Sequence, residues 1–311
     1  MTIDSIKIRT TATVSNVCCG FDCLGYAIPD PADNVTITKK ETSGIEITLS
    51  GLKAESIPTN PEQNTAGKSI LSLLESLKLD QGFNVHIEKG IHPGSGLGSS
   101  ASSAVGAVFG ANKLLGSPLK TEELMVHCMN GEIVSSGTVH ADNVAPALLG
   151  GFILVRSYDP LDIIKLPVPK NLISINVLPD YIVNTREARE LLPEQIPLST
   201  AIMQSGNFSG FISGLYENNF ELMGRSMVDL FAEPVRSNLI PGYESVHQSA
   251  MDNGAIGCGI SGSGPSIFAL SDSKEKAIAV GNGMVTAFQN VGLDCKLYIA
   301  PIHSFPPKIL D

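Results

Sequence analysis

With 311 residues, 43% of them apolar and 17% charged, the chain has the composition of a folded globular protein of one large or two ordinary domains, which argues against disorder. A net charge of −10 speaks against a nucleic-acid binder or an anionic-membrane binder, since both need a basic face; a phosphate ligand would have to be held by local devices. No apolar run approaches the roughly eighteen residues of a membrane span, and the opening MTIDSIKIRT lacks the charged and apolar regions of a secretory signal, so the expected compartment is the cytoplasm.

SIKIRTTATVS (5–15) and NVTITKKETSGIEITLSG (34–51) alternate apolar and polar residues and predict strands. NTAGKSILSLLESLKL (64–79) has helical apolar spacing behind Asn64, a suitable N-cap. FNVHIEKGI (83–91) predicts a strand, SSASSAVGAVFGANKLLG (99–116) a helix of small residues closed by Gly116, and KTEELMVHCMNGEI (120–133) another helix. GGFILVRS (150–157) predicts a buried strand. Prolines then interrupt KLPVPKNLISINVLPD (165–180) before a further strand, so two domains are expected, 1–167 and 168–311. Helices are expected around 186–192, 199–216, 219–231 and 242–253, then a glycine-rich stretch at 255–272, a helix over 273–290 and the strand CKLYIAPI (295–302). Strands mixed with helices, without regular βαβα alternation, predict an α+β protein. The cysteines at 18, 19, 23, 128, 258 and 295 contain no zinc-knuckle spacing and read as small buried thiols.

The most informative stretch is GIHPGSGLGSSASSAVGAV (90–108). Glycines let a backbone approach a ligand closely, and successive N–H groups at a helix start make an anion site that the helix dipole favours. Three phosphate motifs compete for it. A P-loop at Gly67-Lys68-Ser69 fails because Glu62 stands where its first glycine belongs. GLGSSA (96–101) matches a dinucleotide fingerprint, but no strand ending in an acidic residue follows about twenty residues later. GCGISG (257–262) matches too, yet the strand-like PSIFAL follows it where a helix is required.

PGSGLGSSASS (93–103) resembles the phosphate loop of a third class, the GHMP kinases. ATVSNVCCGFDCLGYAI (12–28) and GCGISGSGPSIFAL (257–270) are similar to that superfamily's first and third motifs, and occur in the expected order. HADNVAPALLGGF (140–152), TREAR (185–189) and EPVRSNLIPGY (233–243) resemble segments characteristic of the homoserine kinases, so the likeness spans Thr10 to Leu270. Two departures stand out: Cys18-Cys19 replaces a glycine and a small residue or proline, and Pro93 sits one place later than is common. Neither removes a polar group.

The resemblance implies a two-domain GHMP kinase fold, with an N-terminal ATP-binding domain like ribosomal protein S5 domain 2 and a C-terminal ferredoxin-like α/β sandwich. It implies ATP and Mg²⁺ as cofactors, L-homoserine as substrate and O-phospho-L-homoserine as product, on the route to threonine. It is compatible with a homodimer. Pro93, Gly94, Ser95, Gly96, Leu97, Gly98, Ser99 and Ser100 would cradle the ATP phosphates, with Asn64 and Lys89 at the nucleotide. Ser100 and Glu132 would hold Mg²⁺, which prefers oxygen donors and keeps several waters. Arg189 and Arg236 would meet the substrate carboxylate, with Thr185 on the same segment as Arg189, and Asp22 its ammonium, with Asn16, His140 and Asp142 on the matching motifs. Arg186 and Arg189 are three apart and can share a helix face, so the sequence does not choose between them. Asn143 lies where mevalonate kinase-like relatives carry an aspartate base. An amide accepts no proton, so Asn143 would orient the hydroxyl while its proton passes to the γ-phosphate. Two readings stay open beside this one: a GHMP-type kinase for another small hydroxylated metabolite, and a non-catalytic binder of the same fold.

Overall fold

In the computed structural model, which describes residues 4–137, 139–302 and 305–310, the alternating start of the chain forms β1 (Ser5–Ser15). A loop containing one 3-10 turn at Cys18–Gly20 leads to β2 (Leu24–Lys40). This strand begins ten residues before its alternating part, because residues 24–28 are buried on both faces and carry no period-two signal. β3 (Ile45–Gly51) and β4 (Gly82–Lys89) pair in parallel, with α1 (Thr65–Leu77) as the crossover between them. Asn64 caps α1, its Oδ1 accepting from the N–H of Ala66 (3.0 Å) and Gly67 (3.2 Å). α2 (Ser99–Leu114), α3 (Met125–Ser136) and α4 (Val144–Leu149) follow, then a hairpin of β5 (Phe152–Tyr158) and β6 (Leu161–Leu166). β6 is half-buried without alternation and gave no strand signal.

The second half contributes β7 (Ile173–Pro179), α5 (Thr185–Glu190), α6 (Leu198–Glu217), α7 (Phe220–Ser226), α8 (Glu233–Arg236), α9 (Tyr243–Asp252), β8 (Gly257–Ile260), β9 (Ile267–Ser271), α10 (Lys274–Asn290), β10 (Cys295–Pro301) and β11 (Lys308–Leu310). The helix expected over 219–231 stops at Ser226. Asp229 is the reason: its carboxylate accepts from the N–H groups of Phe231 (2.7 Å), Ala232 (3.1 Å) and Glu233 (3.0 Å), and so starts α8 instead.

Among the described residues, the first sheet has seven strands in the order β11-β1-β2-β4-β3, with β5 on the other end of β2 and β6 beyond it; the second runs β10-β7-β9-β8. Residue 167 falls between the two sheets, but β11 returns to pair with β1. α2 and α4 lie against the first sheet, with α1 and α3 packed on α2, and α9 and α10 pack on the second. A third apolar cluster joins them, in which the Tyr26 ring meets Phe152 at 5.1 Å and Phe268 at 6.2 Å, and Phe152 meets Phe211 at 5.8 Å. Four cysteines are buried as expected, and Cys23 and Cys295 are half-buried. No helix among the described residues is long and apolar enough to cross a membrane.

Small residues let α2 sit close to the sheet. A Cβ on Gly106 would lie 2.7 Å from Val35 Cγ2, and one on Gly110 2.1 Å from Ile37 Cδ1, both in the fully buried core. Since α2 begins at the glycine-rich loop, this packing also fixes where the loop ends. Gly110→Leu should overpack the core and cost about 2 kcal/mol in urea unfolding, even after the helix-propensity gain of roughly 1 kcal/mol. Unchanged stability would show that the helix has room to move.

Candidate active site

The loop of residues 90–98 runs from β4 to α2 and takes three glycines through positive φ: Gly94 (71°), Gly96 (78°) and Gly98 (66°). Their neighbours leave little choice of residue. A Cβ at Gly96 would come within 2.4 Å of the Ser261 carbonyl oxygen, and one at Gly98 within 2.0 Å of Thr13 Oγ1. The loop is stitched on both sides. Thr13 N–H donates to the Leu97 carbonyl (3.1 Å), Ser261 Oγ to the Gly96 carbonyl (2.7 Å) and Ser266 N–H to the Ser95 carbonyl (3.2 Å). The first-turn amides of α2 have no intrahelical acceptor, and Gly98 at the N-cap gives them no side-chain bond.

The loop lines a cavity of about 440 Å³. Leu49, Ile57, Pro58, Ile87 and Val134 give this cavity an apolar wall, and Asp22, His140, Thr185, Arg189 and Arg236 a charged and polar one. Ser100 Oγ donates to Glu132 Oε2 at 2.8 Å. Burial pushes the Glu132 carboxyl up to about 7, opposed by the Ser100 hydroxyl and the Lys89 charge. Asn143 also lines the cavity, its amide oxygen accepting from Thr13 Oγ1 (2.7 Å) and its nitrogen donating to Ser15 Oγ (2.9 Å).

At the charged wall, Arg189 Nη1 pairs with Asp22 Oδ2 at 2.7 Å, and His140 Nδ1 stands 3.8 Å from Asp22 Oδ1. Burial holds the His140 imidazole below its ordinary range, with Asp22 opposing and the two arginines reinforcing. Asn16 braces the corner, its Oδ1 accepting from the Asp22 N–H (3.1 Å) and its Nδ2 donating to the Gly262 carbonyl (2.7 Å). Arg236 is buried and donates to the Gly262 (3.1 Å) and Ala188 (3.2 Å) carbonyls. Both guanidinium groups lie over the Phe21 ring, Arg189 at 5.6 Å and Arg236 at 5.2 Å. The Thr185 and Ser263 hydroxyls are 3.2 Å apart.

The description "GHMP kinases N terminal domain" matches residues 64–151, and "GHMP kinases C terminal" matches residues 211–290. A homoserine kinase from Chlorobium phaeobacteroides (strain BS1) is 44% identical, aligned over 96% of this chain and 98% of its own. The chain belongs to the homoserine kinase family of the GHMP kinases. A family member from Methanococcus vannielii is 41% identical over 96% of this chain and 99% of its own. The crystal structure of homoserine kinase from Cytophaga hutchinsonii superposes with a TM-score of 0.97 at 46% identity, covering 100% of this chain and 98% of that one. The two-sheet architecture is therefore the GHMP kinase fold, which L. major mevalonate kinase shares at a TM-score of 0.70 and 18% identity.

Pro93, Gly94, Ser95, Gly96, Gly98, Ser99, Ser100, Asn64, Lys89, Glu132, Asn16, Asp22, His140, Asp142, Asn143, Thr185, Arg189 and Arg236 all line the one cavity. Leu97 does not: its side chain is in the apolar core, and its N–H is taken by Ser95 Oγ (3.2 Å). Lys89 reaches the cavity wall, but its ammonium is held by Asp33, the Ser99 carbonyl (3.0 Å) and Ser103 Oγ (2.8 Å). Arg189 lines the cavity, whereas Arg186 is exposed and does not. Thr13, Ser15, Phe21 and Asp33 escaped the sequence reading. Thr13 and Ser15 fall on the polar face of β1, where alternation alone places solvent.

Asp142 is buried, and its Oδ1 has no hydrogen-bond partner among the described residues. Burial, with the Asp22 charge second, raises its carboxyl to about 7. The folded protein therefore keeps a proton that the unfolded chain loses near pH 4. Stability from this group is full below that pH and is lost as pH rises to about 7. Asp142→Asn should stabilise the ligand-free protein by an amount that grows between pH 5 and pH 7 and is level above. A gain in Tm that did not change with pH would refute the raised pKa.

Proposed function

We propose that this cavity transfers the γ-phosphoryl group of ATP to the side-chain hydroxyl of L-homoserine, giving O-phospho-L-homoserine and ADP, a step toward threonine. The observation that carries the reading is the meeting, in one cavity, of a glycine-rich helix start with a wall of opposite charges. The open amides of α2 and the helix dipole suit the ATP phosphates, and the apolar wall suits the adenine. Asp22 suits the substrate ammonium, and Arg189 and Arg236 its carboxylate. A hydroxy acid without an amine would bring Asp22 no cation to replace Arg189.

Ser100 and Glu132 would hold Mg²⁺. They are hard oxygen donors already in contact, and two protein ligands leave most of an octahedral shell to phosphate oxygens and water. Bound there, the ion would neutralise charge on the phosphates. Phosphoryl transfer otherwise demands positioning. The loop and α2 hold the donor, the charged wall holds the acceptor, and Asn143 directs the hydroxyl. The hydroxyl oxygen bonds to the γ-phosphorus as the bridge to ADP breaks, and its proton ends on the transferred phosphoryl oxygen.

The test is ADP release with Mg·ATP against homoserine, mevalonate, shikimate and galactose. Release is expected with homoserine, and its absence would sink the reading. Arg236→Leu should raise KM for homoserine on the order of 10–100-fold, the worth of a charged hydrogen bond, and KM for ATP less than about threefold. Equal effects on both would remove Arg236 from the substrate site.

A further inference from the structure

Asn143 occupies the N-cap of α4, a place where asparagine ordinarily turns its side chain onto the helix's first amides. Here the side chain makes no capping bond. It is turned to β1 instead, where Thr13 Oγ1 donates to its oxygen and Ser15 Oγ accepts from its nitrogen. Both β1 residues are buried. The Thr13 backbone is itself tied to the glycine-rich loop through Leu97, and Gly98 closes over the pair: a Cβ there would stand 2.0 Å from Thr13 Oγ1 and 2.9 Å from Asn143 Oδ1. The Ser15 hydroxyl has the Asp142 carboxyl as its own neighbour, and the two bonds at Asn143 run one way, from the Thr13 hydroxyl to the amide oxygen and from the amide nitrogen to Ser15.

Building on the role of Asn143 given above, we propose that Thr13 and Ser15 are positioning residues that fix the orientation of the Asn143 amide. With the oxygen held by Thr13 under Gly98 and one Nδ2 hydrogen spent on Ser15, the group left for a ligand is the second N–H. A donor at that place holds the substrate hydroxyl by its oxygen and leaves the hydroxyl proton free to travel to the phosphoryl group. A reversed amide would offer an acceptor and hold that proton back.

The experiment is steady-state kinetics of Thr13→Val, Thr13→Ser, Asn143→Leu and the double variant Thr13→Val/Asn143→Leu, with homoserine and ATP each varied. Thr13→Val should lower kcat roughly 10–100-fold, as a misplaced reactive group does, and leave both KM values within about threefold. Thr13→Ser, which keeps the hydroxyl, should restore kcat to near the parent value. Thr13→Val should add no further loss on top of Asn143→Leu, since both act through one group. Parental kcat in Thr13→Val beside a large loss in Asn143→Leu would overturn the positioning role alone, as would additive losses in the double variant. Parental kcat in Asn143→Leu would overturn the role of Asn143 and this proposal with it. If Thr13→Val does not fold, Ser15→Ala takes its place, with the same fall in kcat expected and parental kcat overturning the assignment.

Discussion

The architecture of the site depends on one buried carboxylate. Asp33, on β2, accepts from the Lys89 ammonium at the end of β4, from the N–H groups of Gly90 and Ile91 (both 3.0 Å) where the glycine-rich loop begins, and from Ser103 Oγ (3.0 Å) on the second turn of α2. The paired side chains are 1% and 0% exposed. Two ions this deep are tolerated only when every lone pair and proton is used, and removing one partner of such a pair costs about 3–5 kcal/mol. Lys89 shows the tension: burial pulls its ammonium below the ordinary range, and Asp33 opposes. What this arrangement secures is geometry. The strand that leads into the loop and the helix that leads out of it share one acceptor, so the open amides between them are aimed by the core.

The far side of the loop is held by the second sheet, through Ser261 and Ser266. The glycine-rich loop thus lies at a seam between two sheets that the Tyr26–Phe152–Phe268 cluster already locks together. Strain gathers at the same seam. Asn16, Val17, Cys18 and Asp22 take φ of 71°, 38°, 52° and 54°, a conformation that Asn and Asp tolerate but that costs Val17 and Cys18 about 1–2 kcal/mol each. Those turns present Asn16, Phe21 and Asp22 to arginines from α5 and α8, and the hydrogen bond from Asn16 to the Gly262 carbonyl offsets part of the cost.

Much of this was legible in the sequence, and the exceptions share a cause. Period-two and helical spacing located β1, α1, β4 and α10 because each has a wet and a dry face over much of its length, whereas α2, buried almost all round, was marked by its run of small residues and its closing Gly116. The opening of β2, residues 24–28, is dry on both faces, and β11 has only three residues, so neither carries a pattern. The same rule misplaces Thr13 and Ser15: they alternate with apolar residues as solvent-facing positions do, yet the end of β1 is roofed by the loop and α4. Lys89 has the look of a strand-end surface lysine, and only the position of Asp33, fifty-six residues earlier, puts it in the core. Asp229 breaks a helical pattern by capping the next turn, an effect local periodicity does not contain.

The charged wall explains how a small site can choose its substrate under the proposed function. Asp22 and Arg189 neutralise each other at 2.7 Å, so neither stands as an uncompensated half-buried charge. A zwitterion can enter that pair by exchange: its ammonium takes Asp22 as its carboxylate takes Arg189, and the count of satisfied charges is kept. A ligand with a single charge breaks the pair and satisfies one half, leaving the other desolvated. Sites that discriminate by abandoned polar groups reject analogues far more strongly than sites that discriminate by shape. Under that proposal, selection for an amino acid over a hydroxy acid of similar size would follow from the pairing, with both guanidinium planes resting over Phe21.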